Sequence, residues 1–136
     1  DIDYESVISL RNKFYETNSK YKMIGSSVID YNWLNEINDS ENILIIAEGL
    51  TMYLEKEEIK ELLLQINKKF KNAHLIFDAY TTKGVKYSKI KNPVNKMSAK
   101  IKYGFDNIQE FLSLNKNLKH IKTYSIKKEN NNKNKL

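Results

Sequence analysis

Cysteine is absent from the 136 residues, which excludes both a disulfide framework and a thiolate metal site. No apolar run approaches the roughly 20 residues needed to cross a bilayer, and no signal peptide is visible. A soluble, cytoplasmic protein is therefore expected. Glycine occurs only four times, at positions 25, 49, 84 and 104, and no two of them form a Gly-x-Gly pair. Proline occurs once, at Pro93. Acidic residues are missing from 83 to 102, where seven lysines stand at 83, 86, 89, 91, 96, 100 and 102. Those lysines and the basic end, Lys127 to Leu136, supply more than the whole net charge of +6, so the rest of the chain is mildly acidic. The length suits one domain with a modest core.

What is present centres on Glu41 to Phe70, reading ENILIIAEGLTMYLEKEEIKELLLQINKKF. Ile43 to Ala47 is an unbroken apolar run rich in β-branched residues, the pattern of a strand buried on both faces in a parallel sheet. It ends in Glu48 and Gly49. The helix that follows carries Glu55, Glu57 and Glu58 at its start and Lys68, Lys69 and Lys71 at its close, as the helix dipole favours. Ile59, Leu62, Leu63, Ile66 and Phe70 give it one apolar face. Ala73 to Phe77 reads as the next strand, capped by Asp78. The whole is a βαβ unit with a carboxylate at the carboxyl end of each strand, where open α/β sheets place ligands.

Taken in order, Asp1 to Asp3 reads as the end of a strand, and Tyr4 to Tyr15 as a helix with Val7, Leu10 and Phe14 on one face. Lys22 to Ile24 begins a short strand ending in Gly25-Ser26-Ser27, and Asp30 caps a short helix through Trp33, Leu34 and Ile37. Beyond Asp78 an irregular region is expected from Ala79 to Gly104. Asp106 then reads as the N-cap of a helix through Ile108, Phe111 and Leu112, and Leu118 to Ile126 as a closing strand. The pattern is α/β with right-handed crossovers. Residues 127–136 read as a disordered basic tail.

Asp3, Ser26 and Ser27, Glu48 and Asp78 all fall at carboxyl ends of strands and would line one rim. Each alone reads equally well as a helix cap or a solvated turn residue. Together they point to a nucleotide-like ligand, since one carboxylate accepts from both hydroxyls of a ribose. His74 and His120, near strand beginnings, read as structural or surface groups. The lysine stretch reads as a solvated loop, or else as a patch for an anionic substrate. RNA binding through Lys83 to Lys102 is the alternative, although the stretch lacks the regular aromatic interleaving of a stacking platform despite Tyr87 and Tyr103.

At these residues the sequence resembles a family. IAEGLTMYLEKEEIKELL followed by LIFDAYT is similar to the leucine carboxyl methyltransferase family of S-adenosylmethionine-dependent O-methyltransferases. DIDYESVISLRNKF resembles the segment after that family's second strand, MIGSSVIDYNWLNEI the segment of its third, and KYGFDNIQEFLSLNKNLK a later helix. The resemblance implies a partial Rossmann-like methyltransferase sheet, mostly parallel with helices on both faces, over residues 1–126. It implies Asp3 on the cofactor ribose, Tyr4 beside the adenine, and Ser27 and Val28 at the adenine ring. Some members have Asp where this chain has Ser27, and a backbone amide can serve there instead. Glu48 matches a glutamate of the cofactor pocket, Tyr53 lies in a loop over the site as a candidate substrate contact, and Asp78 matches an acidic strand-end position.

The first strand of such a fold and its Gly-rich loop have no counterpart here, so the resemblance reads as the carboxyl-terminal part of a methyltransferase, inactive alone. The implied reaction is methyl transfer from S-adenosylmethionine to a carboxylate or hydroxyl oxygen of a small molecule or a protein carboxyl terminus. It depends on alignment rather than a proton relay, and no metal is implied. The rival reading is a non-catalytic remnant serving as an interaction module. In the usual order the missing strand lies between the strand ending at Asp3 and the strand ending at Glu48. The open edge is then expected to be filled by the amino-terminal part of the protein or by another chain. No membrane and no nucleic acid partner is expected.

Overall fold

The computed structural model describes residues 1–38, 42–91 and 99–125. The expected basic tail at 127–136, Pro93 and Lys96 lie outside the described residues. Among the described residues, four strands form two separate parallel pairs. β1 (Ile2–Asp3) pairs with β2 (Ile24–Gly25), and β3 (Asn42–Ala47) pairs with β4 (Asn72–Phe77) in an unbroken register from Asn42↔Asn72 to Ala47↔Phe77. No ladder joins β1 to β3 among the described residues. The architecture is α/β, and two short parallel pairs with helices agree with a partial Rossmann-like methyltransferase sheet.

α2 (Lys56–Lys69) forms where the sequence places it. Its start is fixed by a capping box: the Glu55 N–H donates to Glu58 Oε2 at 2.7 Å, and the Glu58 N–H donates to the Glu55 carboxylate. Its buried face is Ile59, Leu62, Leu63 and Ile66, continued by Phe70 just past its end. That face packs with Ile24, Trp33 and Leu34 from the first half of the chain and with the inward residues Ile43, Ile45, Leu75 and Phe77. A single core therefore holds both strand pairs. Phe111 and Leu114 close it from the carboxyl-terminal side.

The expectation that Ile43 to Ala47 is buried on both faces is corrected. Ile43 and Ile45 face α2, whereas Leu44 and Ile46 are 57% and 67% exposed, and Ile76 on the paired strand is 57% exposed. An apolar run encodes a two-sided environment, but α2 supplies only one side.

Other expectations shift in detail. α1 spans Glu5–Arg11 and then unwinds in turns through Phe14, which leaves Leu10 and Phe14 largely exposed. Asp30 does cap its helix, accepting from the Asn32 N–H at 3.2 Å, but that helix, Tyr31–Glu36, is 3-10. The expected irregular region contains α3 (Thr82–Lys91), so Lys83, Lys86 and Lys89 are helical. α4 (Ile108–Leu112) takes Asn107 as its N-cap, with a capping box to Glu110, and Asp106 serves α3 instead. Residues 118–125 form no strand. His74 and His120 are both exposed, as read from the sequence.

Candidate functional site

The carboxyl ends of β3 and β4 are tied together by hydrogen bonds. β3 ends in buried Ala47, after which Glu48 is exposed and has no hydrogen-bond partner among the described residues. The chain reverses at Gly49, whose φ of +62° strains any side-chain-bearing residue. The Gly49 N–H donates to Asp78 Oδ1 at 2.8 Å, and the hydroxyl of buried Thr51 donates to the Asp78 carbonyl at 2.8 Å. A 3-10 turn, Thr51–Tyr53, follows, with Tyr53 half-buried against Met52, Val85 and Ile101.

That turn is gripped from far along the chain. The Met52 carbonyl accepts from the N–H groups of Lys102 and Tyr103, at 2.8 and 3.1 Å. Three residues on, the Phe105 N–H donates to the Tyr80 carbonyl at 3.0 Å, and the Asp106 carboxylate accepts from the Thr82 N–H and hydroxyl. Residues 101–106 thus form a strap that holds the loop after β3, the loop after β4 and the start of α3. Gly104 is required by this close approach: a Cβ there would stand 2.6 Å from the Tyr80 carbonyl oxygen and 2.7 Å from Val85 Cγ2. The Thr82 hydroxyl chiefly holds Asp106 below the ordinary carboxylate value, opposed by desolvation and aided by the Thr82 amide, Lys83 and Lys86. Burial, with Glu110 adding to it, raises the Tyr103 hydroxyl.

A lowered Asp106 pKa stabilises the fold above the group's unfolded value, and that contribution is lost as pH falls through the folded value. We expect Asp106→Asn to flatten the acid limb of stability. Between about pH 5 and pH 2 the melting temperature of the variant should fall less steeply than that of the wild type. Parallel acid limbs in the two proteins would remove this role.

The other strand pair presents a second rim. Half-buried Asp3 accepts from the Tyr4 N–H through Oδ1 at 2.8 Å, while Oδ2 has no partner among the described residues. The Asp3 carbonyl accepts from the Ser26 N–H at 2.9 Å. Tyr4 is 65% exposed. Ser27 and Val28 are half-buried, and the Val28 carbonyl accepts from the Trp33 indole N–H at 3.0 Å, which fixes the backbone at that point. Gly25 leaves room for Glu5, whose carboxylate occupies the place a Cβ would take. Asp3, Ser26 and Ser27 therefore follow one strand pair, and Glu48 and Asp78 follow the other. Two open depressions lie elsewhere, one lined by Asn42, Ile43, Leu44 and His74, the other by Lys60, Glu61, Leu64 and residues 114–117.

Sequence reasoning missed Thr51 and the strap. Thr51 stood in the quoted motif without an assigned role. The strap has no periodicity to read, but Asn107-x-x-Glu110 is a capping-box spacing that moves the start of α4 past Asp106 and frees that carboxylate.

Comparison with known proteins adds to this geometry. Over 93 residues the chain is 34% identical to the tetracenomycin polyketide synthesis O-methyltransferase TcmP of Streptomyces glaucescens, covering 66% of this chain and 34% of that protein. Over 89 residues it is 30% identical to the S-adenosyl-L-methionine-dependent methyltransferase dpfgK of Gibberella zeae, covering 58% of this chain and 30% of that protein. Both relatives are methyltransferases. The chain spans about a third of the length of the curated relatives it matches. No protein-family model and no solved structure matches it. Among the described residues no helix is long and apolar enough to cross a membrane.

Proposed function

We propose that this chain is part of an S-adenosylmethionine-dependent O-methyltransferase and carries half of its cofactor pocket. The observation that carries this reading is the pair of parallel ladders, one ending at Asp3 and the other just before Glu48, in a chain similar to two methyltransferases. The donor set suits the cofactor. Asp3 Oδ2 is open to ribose hydroxyls, the Tyr4 ring is exposed for stacking, and Ser27 with Val28 offers a fixed backbone edge to the adenine. Glu48, unpaired at the end of β3, completes the polar lining.

When bound, the cofactor supplies an electrophilic methyl group on its sulfonium. The part of this chain is to hold and orient. Asp3 and Tyr4 fix the nucleoside end, while the strap-held turn keeps Tyr53 at the acceptor side. A carboxylate acceptor needs no base, in keeping with a rim that lacks histidine. The acceptor class we assign is a carboxylate or hydroxyl of a small molecule or a protein carboxyl terminus. Within the methyltransferases we place the chain near the leucine carboxyl group, on the Ala47-Glu48-Gly49-Leu50 and Tyr53-Leu54 core.

Calorimetric titration with S-adenosylmethionine tests the reading. Binding in the micromolar range is expected, and Asp3→Ala should weaken it by about 1–3 kcal/mol, the scale of a charge-assisted hydrogen bond. Unchanged affinity in Asp3→Ala would exclude the ribose role. Absence of heat at millimolar cofactor would favour a non-catalytic interaction module.

A further inference from the structure

Glu48 and Asp78 end neighbouring parallel strands in the same register, yet their surroundings differ. Glu48 is exposed and unpaired among the described residues. Asp78 is half-buried and accepts twice from the turn that follows Glu48, through Oδ1 from the Gly49 N–H and through its carbonyl from the Thr51 hydroxyl, both at 2.8 Å. We propose that Asp78 is a positioning residue, which sets the turn carrying Glu48 and Tyr53 and makes no contact with the ligand. The proposal rests on the cofactor-site reading for what the turn positions, but not for the anchoring itself.

The physical argument starts from Gly49. A glycine at a left-handed φ has many other conformations open to it, and nothing lies within 4 Å of where its Cβ would be. Side-chain contacts therefore do not select the backbone at Gly49 itself, where the Asp78 bond acts, while the Thr51 bond, buried Met52 and the strap amides hold the turn farther on. Thr51 is the second anchor, since its hydroxyl is buried and is directed at the Asp78 carbonyl. What the turn needs at position 78 is an acceptor oxygen at the place of Oδ1. The negative charge is not required for that task. A carboxylate that binds a ligand needs its charge as well, because charge strengthens the bonds it accepts.

Three variants of the full chain separate these roles: Asp78→Asn, which keeps the acceptor and removes the charge; Asp78→Ala, which removes both; and Thr51→Val, which removes the second anchor alone. Amide hydrogen exchange of Gly49 and affinity for S-adenosylmethionine are read on each. In Asp78→Ala, Gly49 exchange should quicken and cofactor affinity should fall, each by about tenfold, the effect of losing one ordinary hydrogen bond. Asp78→Asn should match the wild type in both. Thr51→Val should weaken the cofactor although the carboxylate is untouched. Glu48→Gln made on Thr51→Val should cost less affinity than on the wild type, because Glu48 is already misplaced.

The proposal is overturned if Asp78→Asn weakens the cofactor as much as Asp78→Ala while Gly49 keeps its protection, because Asp78 then meets the ligand through its charge. It is also overturned if Asp78→Ala leaves Gly49 exchange unchanged. Should Asp78→Ala fail to fold, Asp78→Asn and Thr51→Val decide: wild-type behaviour in the first and a loosened turn in the second are required. If the wild-type chain binds no S-adenosylmethionine, the cofactor reading fails, and Gly49 exchange still decides whether Asp78 anchors the turn.

Discussion

Replacing Phe111 with alanine is expected to cost about 3–5 kcal/mol of stability, the usual range for removing a buried aromatic ring. Phe111 is 3% exposed, and its ring stacks on Phe77 with centroids 4.4 Å apart and tilts against Phe105 at 5.4 Å. Phe77 ends β4, Phe105 belongs to the strap, and Phe111 belongs to α4, so these rings join β4 to the strap and helix that follow it much later in the sequence. Their contact adds pairwise aromatic energy to plain burial. Domains of this kind have a margin of about 5–15 kcal/mol, so the variant should lose a large share of its stability at 25 °C. Urea denaturation followed by circular dichroism measures the loss. A change below about 1 kcal/mol would mean that the ring is not a keystone of the core.

The second large effect concerns the bare side of β3 and β4. Leu44, Ile46 and Ile76 stand together and exposed on one face, and among the described residues β3 forms a ladder with β4 alone. A flat apolar strand with unpaired N–H and C=O groups templates the addition of another strand. Each backbone group buried without a partner would cost on the order of 1–3 kcal/mol, so an incoming segment must pair the edge as well as cover the side chains. We expect the purified chain to associate through this side. Ile46→Lys with Ile76→Lys should return it to a monomer, since lysine on an exposed sheet face opposes stacking. Sedimentation velocity at several concentrations decides this. A cooperatively melting monomer at every concentration, with the wild-type residues present, would show that the bare side is tolerated in water.

How far the sequence foretold the molecule depended on whether the signal was local. α2 was legible residue by residue, because its apolar period, acidic start and basic end all derive from the helix itself. The ends of β3 and β4, just before Glu48 and Asp78, were legible for the same reason, as each strand stops where its apolar run stops. α3 was missed because it buries only Val85 and Ser88 among its described side chains, too few to impose a period on a lysine-rich stretch. The reverse error befell Leu118 to Ile126, where alternating apolar and polar residues suggested a strand, yet residues 118–125 gain no neighbour to pair with. Alternation describes a half-buried surface, and residues 119–125 are exposed. For the candidate site, residue types and strand-end positions could be read in advance. The division of labour between Glu48 and Asp78 could not, since it depends on a hydrogen bond between residues 29 apart.

The strap also sets an order in time. The turn after β3 is held by amides about fifty residues downstream, at Lys102 and Tyr103, and the start of α3 by Asp106 beyond them. Closing so long a loop is slow compared with forming α2, whose contacts are local. During synthesis β3, α2 and β4 emerge from the ribosome and can pair well before residue 106 exists. The rim at Glu48 and Tyr53 would then acquire its final shape only once residues 102 to 106 are present to hold it.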